Sequence, residues 1–285
     1  MTHTALGREP LRSFLKWAGG KTRTAALLAS LSPEDGYENY LEPFCGSAAV
    51  FFALRPERAI LADDNADLIV CLQQVATDPY AIMAQLDEWP NERGFFNQVR
   101  DWDQAGLEPV VRAARVIYLN KTAFRGLWRV NRQGRFNTPY GEYDRPYYNR
   151  TTLLAASSAL QHADIRHACF REILLKADPG DWVYVDPPYV PDRAWGDFTR
   201  YTAGQFGPGD QEDLAEVLEQ LDRDGVRWLL TNSNTKMIRK LYSDYRIGTI
   251  ATRRDITLQS ADRESVDLVI TNYDPPVRQG LMRVE

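Results

Sequence analysis

Short apolar runs that alternate with amphipathic stretches constrain the fold of this chain more than any other feature. Five runs are long enough for a buried strand and too short for a core helix: residues 37–41, 59–62, 182–185, 228–231 and 266–272. Helical spacing of apolar residues appears between them, for example over residues 67–75 and 211–221. Strands that alternate with helices predict an α/β fold with a doubly wound sheet.

A long stretch, residues 63–181, separates the second and third of these runs. Within it, residues 80–86, 95–102, 110–119 and 153–162 have helical spacing, and residues 126–143 are rich in turn formers. We therefore predict a mostly helical domain over residues 75–165, inserted into an α/β domain made of residues 1–74 and 166–285.

The charge of the chain is distributed unevenly. The net charge is −5, which by itself argues against nucleic acid as a partner. Residues 112–150, however, hold two acidic residues, eight aromatic residues and nine basic ones: Arg112, Arg115, Lys121, Arg125, Arg129, Arg132, Arg135, Arg145 and Arg150. Basic and aromatic residues together predict a face that binds a polyanion, with an arginine-rich solvated surface as the alternative.

The remaining composition narrows the class of protein. We find neither an apolar run of about 18 residues, which a transmembrane helix needs, nor the pattern of a secretory signal. The three cysteines (Cys45, Cys71 and Cys169) are far apart, and the three histidines form no ligand pattern. The sequence therefore predicts a cytoplasmic protein that binds no metal and spans no membrane.

The apolar run at residues 182–185 ends in Asp186-Pro187-Pro188-Tyr189. Proline fixes φ and has no N–H to donate, so the strand must stop there. What remains is a cluster of acceptors, the Asp186 carboxylate and backbone carbonyls, beside the Tyr189 ring. Such a site suits a planar amine such as the exocyclic N6 of adenine. A plain strand end with a surface tyrosine is the alternative.

Two glycine-containing loops and a second carboxylate indicate a nucleotide-like cofactor. Gly46 follows the first strand, and Asp63 lies 21 residues after Glu42, close to the spacing of a carboxylate that binds ribose hydroxyls. Asp63 could instead belong to a turn or a helix cap. Lys21 follows a glycine pair, and a phosphate or a carboxylate, such as that of S-adenosylmethionine, would suit it equally.

These segments occur in one order along the chain: residues 17–21, 42–47, Asp63 with Asn65, and 186–189. In that order they resemble Dam-like DNA adenine-N6 methyltransferases of the α class, over nearly the whole chain. The resemblance implies a Rossmann-like sheet that binds S-adenosylmethionine and an inserted domain that recognises double-stranded DNA. It also implies methyl transfer to the N6 amine of a flipped-out adenine, with GATC as the target sequence.

The resemblance also implies residue roles by matching position. The catalytic residues would be Asp186, Pro187, Pro188 and Tyr189, with Asp186 and the Pro187 carbonyl accepting from the amine and Tyr189 stacking on the adenine. The cofactor would contact Trp17, Gly19, Gly20, Lys21, Glu42, Phe44, Cys45, Gly46, Asp63, Phe170 and Asp186, with Lys21 near its carboxylate and the two phenylalanines flanking it. DNA would contact Phe124, Arg125, Arg129, Asn131, Arg135, Pro139 and Tyr140.

Two positions depart from the family pattern within the recognition segment. Arg125 stands where asparagine is common, and Glu142 where many members have a basic residue. Both bear on which DNA sequence is recognised and leave the reaction unchanged. We expect Phe124 to wedge into the base stack and Arg129 to read a base edge or a phosphate.

Other functions share some of these features. A nicotinamide-dependent oxidoreductase shares the sheet and Asp63, and N4-cytosine transfer uses a chemically similar amine. A DNA-binding module without activity and an RNA or protein amine methyltransferase are further alternatives. A cognate restriction endonuclease is compatible with the resemblance as a partner, and the sequence does not indicate an oligomeric state.

Overall fold

A computed structural model describes residues 10–17, 19–131, 133–189, 206–253, 264–276 and 283–284 of the chain. The strands are β1 Tyr40–Glu42, β2 Ala59–Asp63, β3 Ala163–His167, β4 Trp182–Val185, β5 Arg227–Ser233, β6 Arg246–Arg253, β7 Glu264–Thr271 and β8 Arg283–Val284. The helices are α1 Ala25–Ala29, α2 Ala49–Leu54, α3 Ala66–Thr77, α4 Pro79–Asp87, α5 Arg93–Asp101, α6 Pro109–Thr122, α7 Arg150–Leu160, α8 Phe170–Leu174, α9 Pro208–Arg223 and α10 Lys236–Leu241. Within these ranges, no helix is both long and apolar enough to cross a membrane.

Seven strands form one mixed sheet in the order β3-β2-β1-β4-β5-β7-β6, and the two-residue strand β8 pairs with the β6 edge. Strands β3, β2, β1, β4 and β5 are parallel, whereas β7 is antiparallel to both β5 and β6. The strand order reverses between β1 and β4, so the loops that follow these strands diverge at their carboxyl ends. Such a switch point is where ligands bind in open α/β sheets. The predicted α/β class is confirmed.

Alternation along β4 separates two apolar cores. Trp182 and Tyr184 point into one core, and Val183 and Val185 into the other. Helices α1 and α2 contribute to the first core, whereas α8, α9 and α10 contribute to the second. All four β4 side chains are buried, which explains why the strand appears in the sequence as a continuous apolar run.

Five helices, α3 to α7, lie between β2 and β3. Helices α6 and α7 pack against α3, and α4 and α5 pack against α6. Ile82 of α4, Phe96 of α5 and Val116 of α6 belong to the same apolar core as the β4 residues Trp182 and Tyr184. These helices therefore share a core with one face of the sheet. The boundaries predicted at residues 75 and 165 fall inside α3 and β3.

Besides the two-residue strand β8, two strands lack the apolar runs that predicted the others. In β3, at the sheet edge, Ile165 is buried while Asp164 and His167 are exposed. In β6, Arg246–Arg253, polar and charged residues interrupt the apolar ones. Edge position accounts for β3, because a strand with one neighbour and one solvated face needs few apolar residues.

Candidate active site

The segments predicted to form a site meet at the carboxyl ends of the parallel strands. The loop of residues 43–47 follows β1, Asp63 ends β2, Phe170 follows β3 and Asp186 follows β4. Because β3, β2, β1 and β4 are adjacent in the sheet, these residues lie along one edge. Ala18 of the N-terminal loop lies outside the described residues.

Three hydrogen bonds hold the Asp186 carboxylate. Lys21 Nζ donates to Oδ1 at 2.6 Å and to Oδ2 at 2.8 Å, and Thr231 Oγ1 donates to Oδ1 at 2.7 Å. Burial raises the pKa of Asp186, and the charge of Lys21 opposes that rise. Lys21 thus pairs with a carboxylate of the protein itself, and its contact with a cofactor carboxylate stays a prediction.

The rest of the Asp-Pro-Pro-Tyr motif is also fixed. The Tyr189 hydroxyl donates to Asp267 Oδ2 at 3.1 Å, and Lys21 Nζ lies 4.9 Å from the centre of the Tyr189 ring. Gln211 Nε2 donates to the Pro188 carbonyl at 3.1 Å, and Pro187 is buried. The acceptor and the ring that the sequence placed side by side are therefore held in a defined relation.

Three residues that fix this motif were not identified from the sequence: Gln211, Thr231 and Asp267. All three side chains are polar and buried, on a helix and two strands whose other buried residues are mostly apolar. Such residues are rare in cores unless they have a partner. A polar side chain at a core position of the periodic pattern is the signal that could have identified them.

Asp63 lies at the end of β2 with both carboxylate oxygens engaged. Its Oδ2 accepts from the Gly46 N–H at 2.9 Å, and its Oδ1 accepts from the Asn65 N–H at 3.0 Å. Burial, with a contribution from the neighbouring Asp64, raises the pKa of Asp63 to about 7. The cap of helix α3 is Asn65, whose side chain accepts from the Leu68 N–H. The helix-cap alternative therefore applies to Asn65 and not to Asp63.

The two glycine loops pack closely around Trp17. Gly46 has φ +47°, and a Cβ there would lie 3.0 Å from Trp17 Cδ1. A Cβ on Gly20 would lie 2.7 Å from the Trp17 carbonyl oxygen. The Gly19 carbonyl accepts from Lys21 Nζ at 3.0 Å. Glycine is therefore required where residues 17–21 and 42–47 approach each other.

Other predicted cofactor residues lie below or beside these loops. Glu42 and Cys45 are buried, and the Tyr40 hydroxyl donates to Glu42 Oε2 at 2.8 Å. Burial raises the pKa of Glu42 to about 8. Phe44 and Phe170 stack on each other with ring centres 5.3 Å apart. The two phenylalanines, predicted to flank the cofactor, present one joint aromatic surface.

A second group of predicted residues lies on a hairpin that follows α6. Residues 123–141 fold back on themselves through bridges between Ala123 and Tyr140 and between Val130 and Phe136. Within this hairpin Phe124 is 45 % exposed, and Arg135 and Pro139 are also exposed. We call residues 123–141 the recognition hairpin.

Its connection to the glycine loops runs through a tryptophan pair. The Trp17 ring stacks on Trp128 with centres 5.7 Å apart, and Trp128 is 2 % exposed. Arg129, the next residue, donates from Nε to Asn137 Oδ1 at 2.8 Å. The hairpin is therefore packed against the edge of the sheet that carries Asp186.

Two predicted DNA-contacting side chains stabilise the hairpin, one from within it and one by a bond to the segment before α5. Asn131 Oδ1 accepts from the Gln133 N–H at 2.9 Å and from the Arg135 N–H at 3.0 Å. The Tyr140 hydroxyl donates to the Asn91 carbonyl at 2.8 Å. A direct contact of these side chains with DNA stays a prediction.

The basic segment of residues 112–150 is not one continuous face, and that expectation is wrong for Arg115 and Arg112. Arg115 is 1 % exposed and donates to the Val99 carbonyl at 2.8 Å. Arg112 pairs with the buried Asp67 at 2.5 Å, and Arg150 pairs with Asp87 at 2.7 Å. Arg115 and Arg112 stabilise helix packing, which periodicity alone does not distinguish from a solvated charge, whereas Arg150 is exposed.

Part of the basic segment does cluster near the hairpin. Burial, together with the charges of Lys16 and Arg145, lowers the pKa of Lys121 to about 8. The Arg125 guanidinium lies 5.4 Å from the centre of the exposed Phe124 ring. Arg132 lies outside the described residues. Of the exposed cations in this segment, Arg125 therefore lies beside Phe124.

Both positions that depart from the family pattern have left-handed backbone, with φ +58° at Arg125 and +56° at Glu142. Asparagine adopts this conformation more readily than arginine does. Glu142 forms an exposed ion pair with Arg93. An exposed acidic residue here replaces positive charge with negative charge on the recognition hairpin's flank.

Comparison with known proteins agrees with this geometry. The sequence model of a family described as D12 class N6 adenine-specific DNA methyltransferase matches residues 17–256. That span includes the glycine loops, the recognition hairpin and the Asp-Pro-Pro-Tyr motif.

Individual relatives match over nearly their whole length. A type II methyltransferase, M1.LlaDCHI of Lactococcus lactis subsp. cremoris, is 34% identical over 92% of this chain and 96% of its own. The type II methyltransferase M.MjaIII of Methanocaldococcus jannaschii is 33% identical over 92% and 99%. The DNA adenine methylase of Escherichia coli K12 is 33% identical over 93% and 96%. The chain belongs to the D12 class of N6 adenine-specific DNA methyltransferases.

Proposed function

We propose that this adenine-specific DNA methyltransferase moves a methyl group from S-adenosylmethionine to the N6 amine of an adenine flipped out of duplex DNA, with GATC as its target. The observation that carries the proposal is the Asp186 carboxylate, fixed by Lys21 and Thr231 beside the Tyr189 ring. An anchored acceptor next to an aromatic face matches the needs of a planar amine.

The residues along the sheet edge fit S-adenosylmethionine. Each Asp63 oxygen accepts one backbone N–H and retains a lone pair for a ribose hydroxyl. The joint face of Phe44 and Phe170 offers an apolar surface to the cofactor's adenine, and the glycine loops around Trp17 and Lys21 allow close backbone approach. When bound, S-adenosylmethionine supplies an electrophilic methyl group on a sulfonium.

Asp186 makes the target amine reactive. The N6 lone pair of adenine is delocalised into the ring, so the nitrogen is a poor nucleophile until it becomes pyramidal. Acceptors aimed at its N–H bonds, the Asp186 carboxylate and the Pro187 carbonyl, favour the pyramidal form and stabilise its developing positive charge. This role requires the ionised form of Asp186, which the ion pair with Lys21 favours and burial opposes.

Access to Asp186 requires base flipping. A base inside a duplex cannot reach a buried motif, so the target adenine leaves the stack and lies against Tyr189, at a cost of a few kcal/mol. Phe124, exposed on the recognition hairpin, fills the gap in the stack. Arg125, Arg129, Arg135 and Pro139 contact the duplex. Residues 75–165 thus serve as the target-recognition domain, and residues 1–74 and 166–285 as the catalytic domain.

The names of relatives support two parts of this proposal. Several are DNA adenine methylases and two are type II methyltransferases. The type II names support a cognate restriction endonuclease as a partner.

The test uses purified protein, methyl-labelled S-adenosylmethionine and two duplexes that differ only in holding one GATC or one GTAC. We expect label in the GATC duplex alone, recovered as N6-methyldeoxyadenosine, and none with the Asp186→Ala variant. Equal labelling of both duplexes would remove GATC as the target. Label recovered in cytosine would refute the proposed reaction.

A further inference from the structure

Two buried hydroxyl groups extend the hydrogen bonding of Asp186 into the sheet. Thr231 of β5 and Tyr184 of β4 are 0 % and 1 % exposed. Thr231 Oγ1 lies 2.7 Å from Asp186 Oδ1, and the Tyr184 hydroxyl lies 3.0 Å from Thr231 Oγ1.

The number of hydroxyl protons decides which group donates in each of these hydrogen bonds. A threonine hydroxyl has one proton, and its contact with the Asp186 carboxylate is shorter than its 3.5 Å contact with the Val185 carbonyl. Thr231 therefore donates to Asp186. Tyr184 must then donate to Thr231, so that both donors point toward the carboxylate.

The two oxygens of Asp186 consequently differ. Oδ1 accepts from both Lys21 and Thr231, which uses its two lone pairs, whereas Oδ2 accepts from Lys21 alone. The terminal torsion of an aspartate is broad, so the carboxylate can rotate unless something holds it. The Thr231 hydroxyl supplies that hold from within the sheet.

We infer that Thr231 and Tyr184 are positioning residues that fix the Asp186 carboxylate so that Oδ2 receives the target amine. The inference rests on the proposed function, since it assigns the acceptor atom within that reaction. Neither residue touches the amine. Tyr184 acts only through Thr231, and Thr231 acts only through Asp186.

This arrangement has a consequence for acidity. A donor lost from Oδ1 raises the pKa of Asp186, because a hydrogen bond to the charged form lowers it. Several titratable groups face Asp186 from the surrounding elements: Lys21, Glu42, Tyr184, Tyr189 and Asp267. Thr231→Val and Tyr184→Phe leave all of their charges in place at neutral pH.

The experiment measures kcat, both KM values and the pH dependence of kcat for Thr231→Val, Tyr184→Phe and the double variant. We expect kcat of Thr231→Val to fall roughly 10-fold, and its acid limb to move up by about one pH unit. We expect KM for S-adenosylmethionine to stay within about twofold of wild type, because Asp63, the two phenylalanines and the glycine loops keep their contacts. Tyr184→Phe should cost less, and should add nothing in the Thr231→Val background.

Two matched controls separate positioning from general loss of packing. Thr271 is 1 % exposed and donates to the Tyr273 carbonyl at the other end of the sheet, and Tyr242 is 0 % exposed. Thr271→Val and Tyr242→Phe remove the same atoms elsewhere and should leave the acid limb in place.

The outcomes distinguish this inference from the proposed function. Wild-type kcat and pH profile in Thr231→Val, with kcat of Asp186→Asn reduced about 100-fold or more, would overturn the positioning role and leave the reaction intact. Wild-type kcat in Asp186→Asn would instead overturn the proposed function. If Thr231→Val does not fold, Tyr184→Phe carries the test alone, and an unmoved acid limb in that variant overturns the inference.

Discussion

The carboxyl edge of the sheet and the recognition hairpin are built in different ways. At the sheet edge, bonds join residues far apart in sequence and the partners are buried, as with Lys21 and Asp186 or Tyr189 and Asp267. On the hairpin, the exposed bonds are local, as with Arg129 and Asn137, and the half-buried Tyr140 anchors the hairpin to Asn91. The fold therefore holds the predicted catalytic side chains in place, whereas the hairpin's exposed side chains can change without disturbing the core.

The largest effect should come from Asp186. Asp186→Asn keeps the size of the side chain but removes the charge, and we expect kcat to fall about 100- to 1,000-fold. Duplex affinity should stay within about threefold of wild type, since the hairpin is untouched. Single-turnover methylation and duplex binding measure the two quantities. Asp164→Asn, on the exposed edge of the sheet, is the matched control, and an equal loss in that variant would contradict the assignment.

Arg129 should show the opposite behaviour. Arg129→Ala removes a half-buried guanidinium from the hairpin, and we expect duplex affinity to fall roughly 10- to 100-fold. The rate at saturating DNA should change little. Titrations of target and non-target duplexes provide the measurement. Arg150→Ala, which removes an arginine paired with Asp87, should bind DNA as wild type does. Unchanged affinity and site preference in Arg129→Ala would refute its role.

Cofactor binding at the sheet edge should depend on pH. The raised pKa of Asp63, about 7, means that the carboxyl holds its proton below that pH and loses it above. Ribose hydroxyls need the ionised acceptor, so affinity for S-adenosylmethionine should rise up to roughly 10-fold between pH 6 and pH 8. Calorimetric titration tests this. Asp63→Asn should bind weakly with a flat profile, and an equally steep profile in that variant would assign the titration to another group.

The smallest effect should come from the Tyr189 hydroxyl. Tyr189→Phe keeps the ring but loses the bond to Asp267, and we expect kcat to fall about 2- to 5-fold. Duplex affinity should not change. Steady-state kinetics with target duplex measures this. A loss as large as that of Asp186→Asn would mean that the hydroxyl, and not the ring, carries the role assigned to Tyr189.

Local signals in the sequence predicted much of the sheet and the motifs. The run before Asp186 is apolar at every position because β4 is buried on both faces, and proline marks its end. The same reasoning locates Asp63 at the end of β2. These features depend on neighbouring residues, so a single sequence contains them.

Features that depend on distant contacts could not be predicted in this way. Lys21 and Asp186 are 165 residues apart, and spacing does not reveal which carboxylate a lysine meets. Arginine is usually a surface residue, yet Arg115 is buried and donates to backbone carbonyls. A search for apolar runs misses strand β3, because a strand at the sheet edge needs few apolar residues. Tertiary packing decides each of these cases.

The most direct test of the division between the two regions is a base-resolved map of N6-methyladenine in DNA from cells that express the protein or a variant. We expect the wild-type chain to mark adenine in one short sequence, GATC, and Asp186→Ala to leave no marks. Arg129→Ala should still mark adenine, at fewer target sites or with related sequences added. A map from Asp186→Ala identical to that of the wild type would contradict the account.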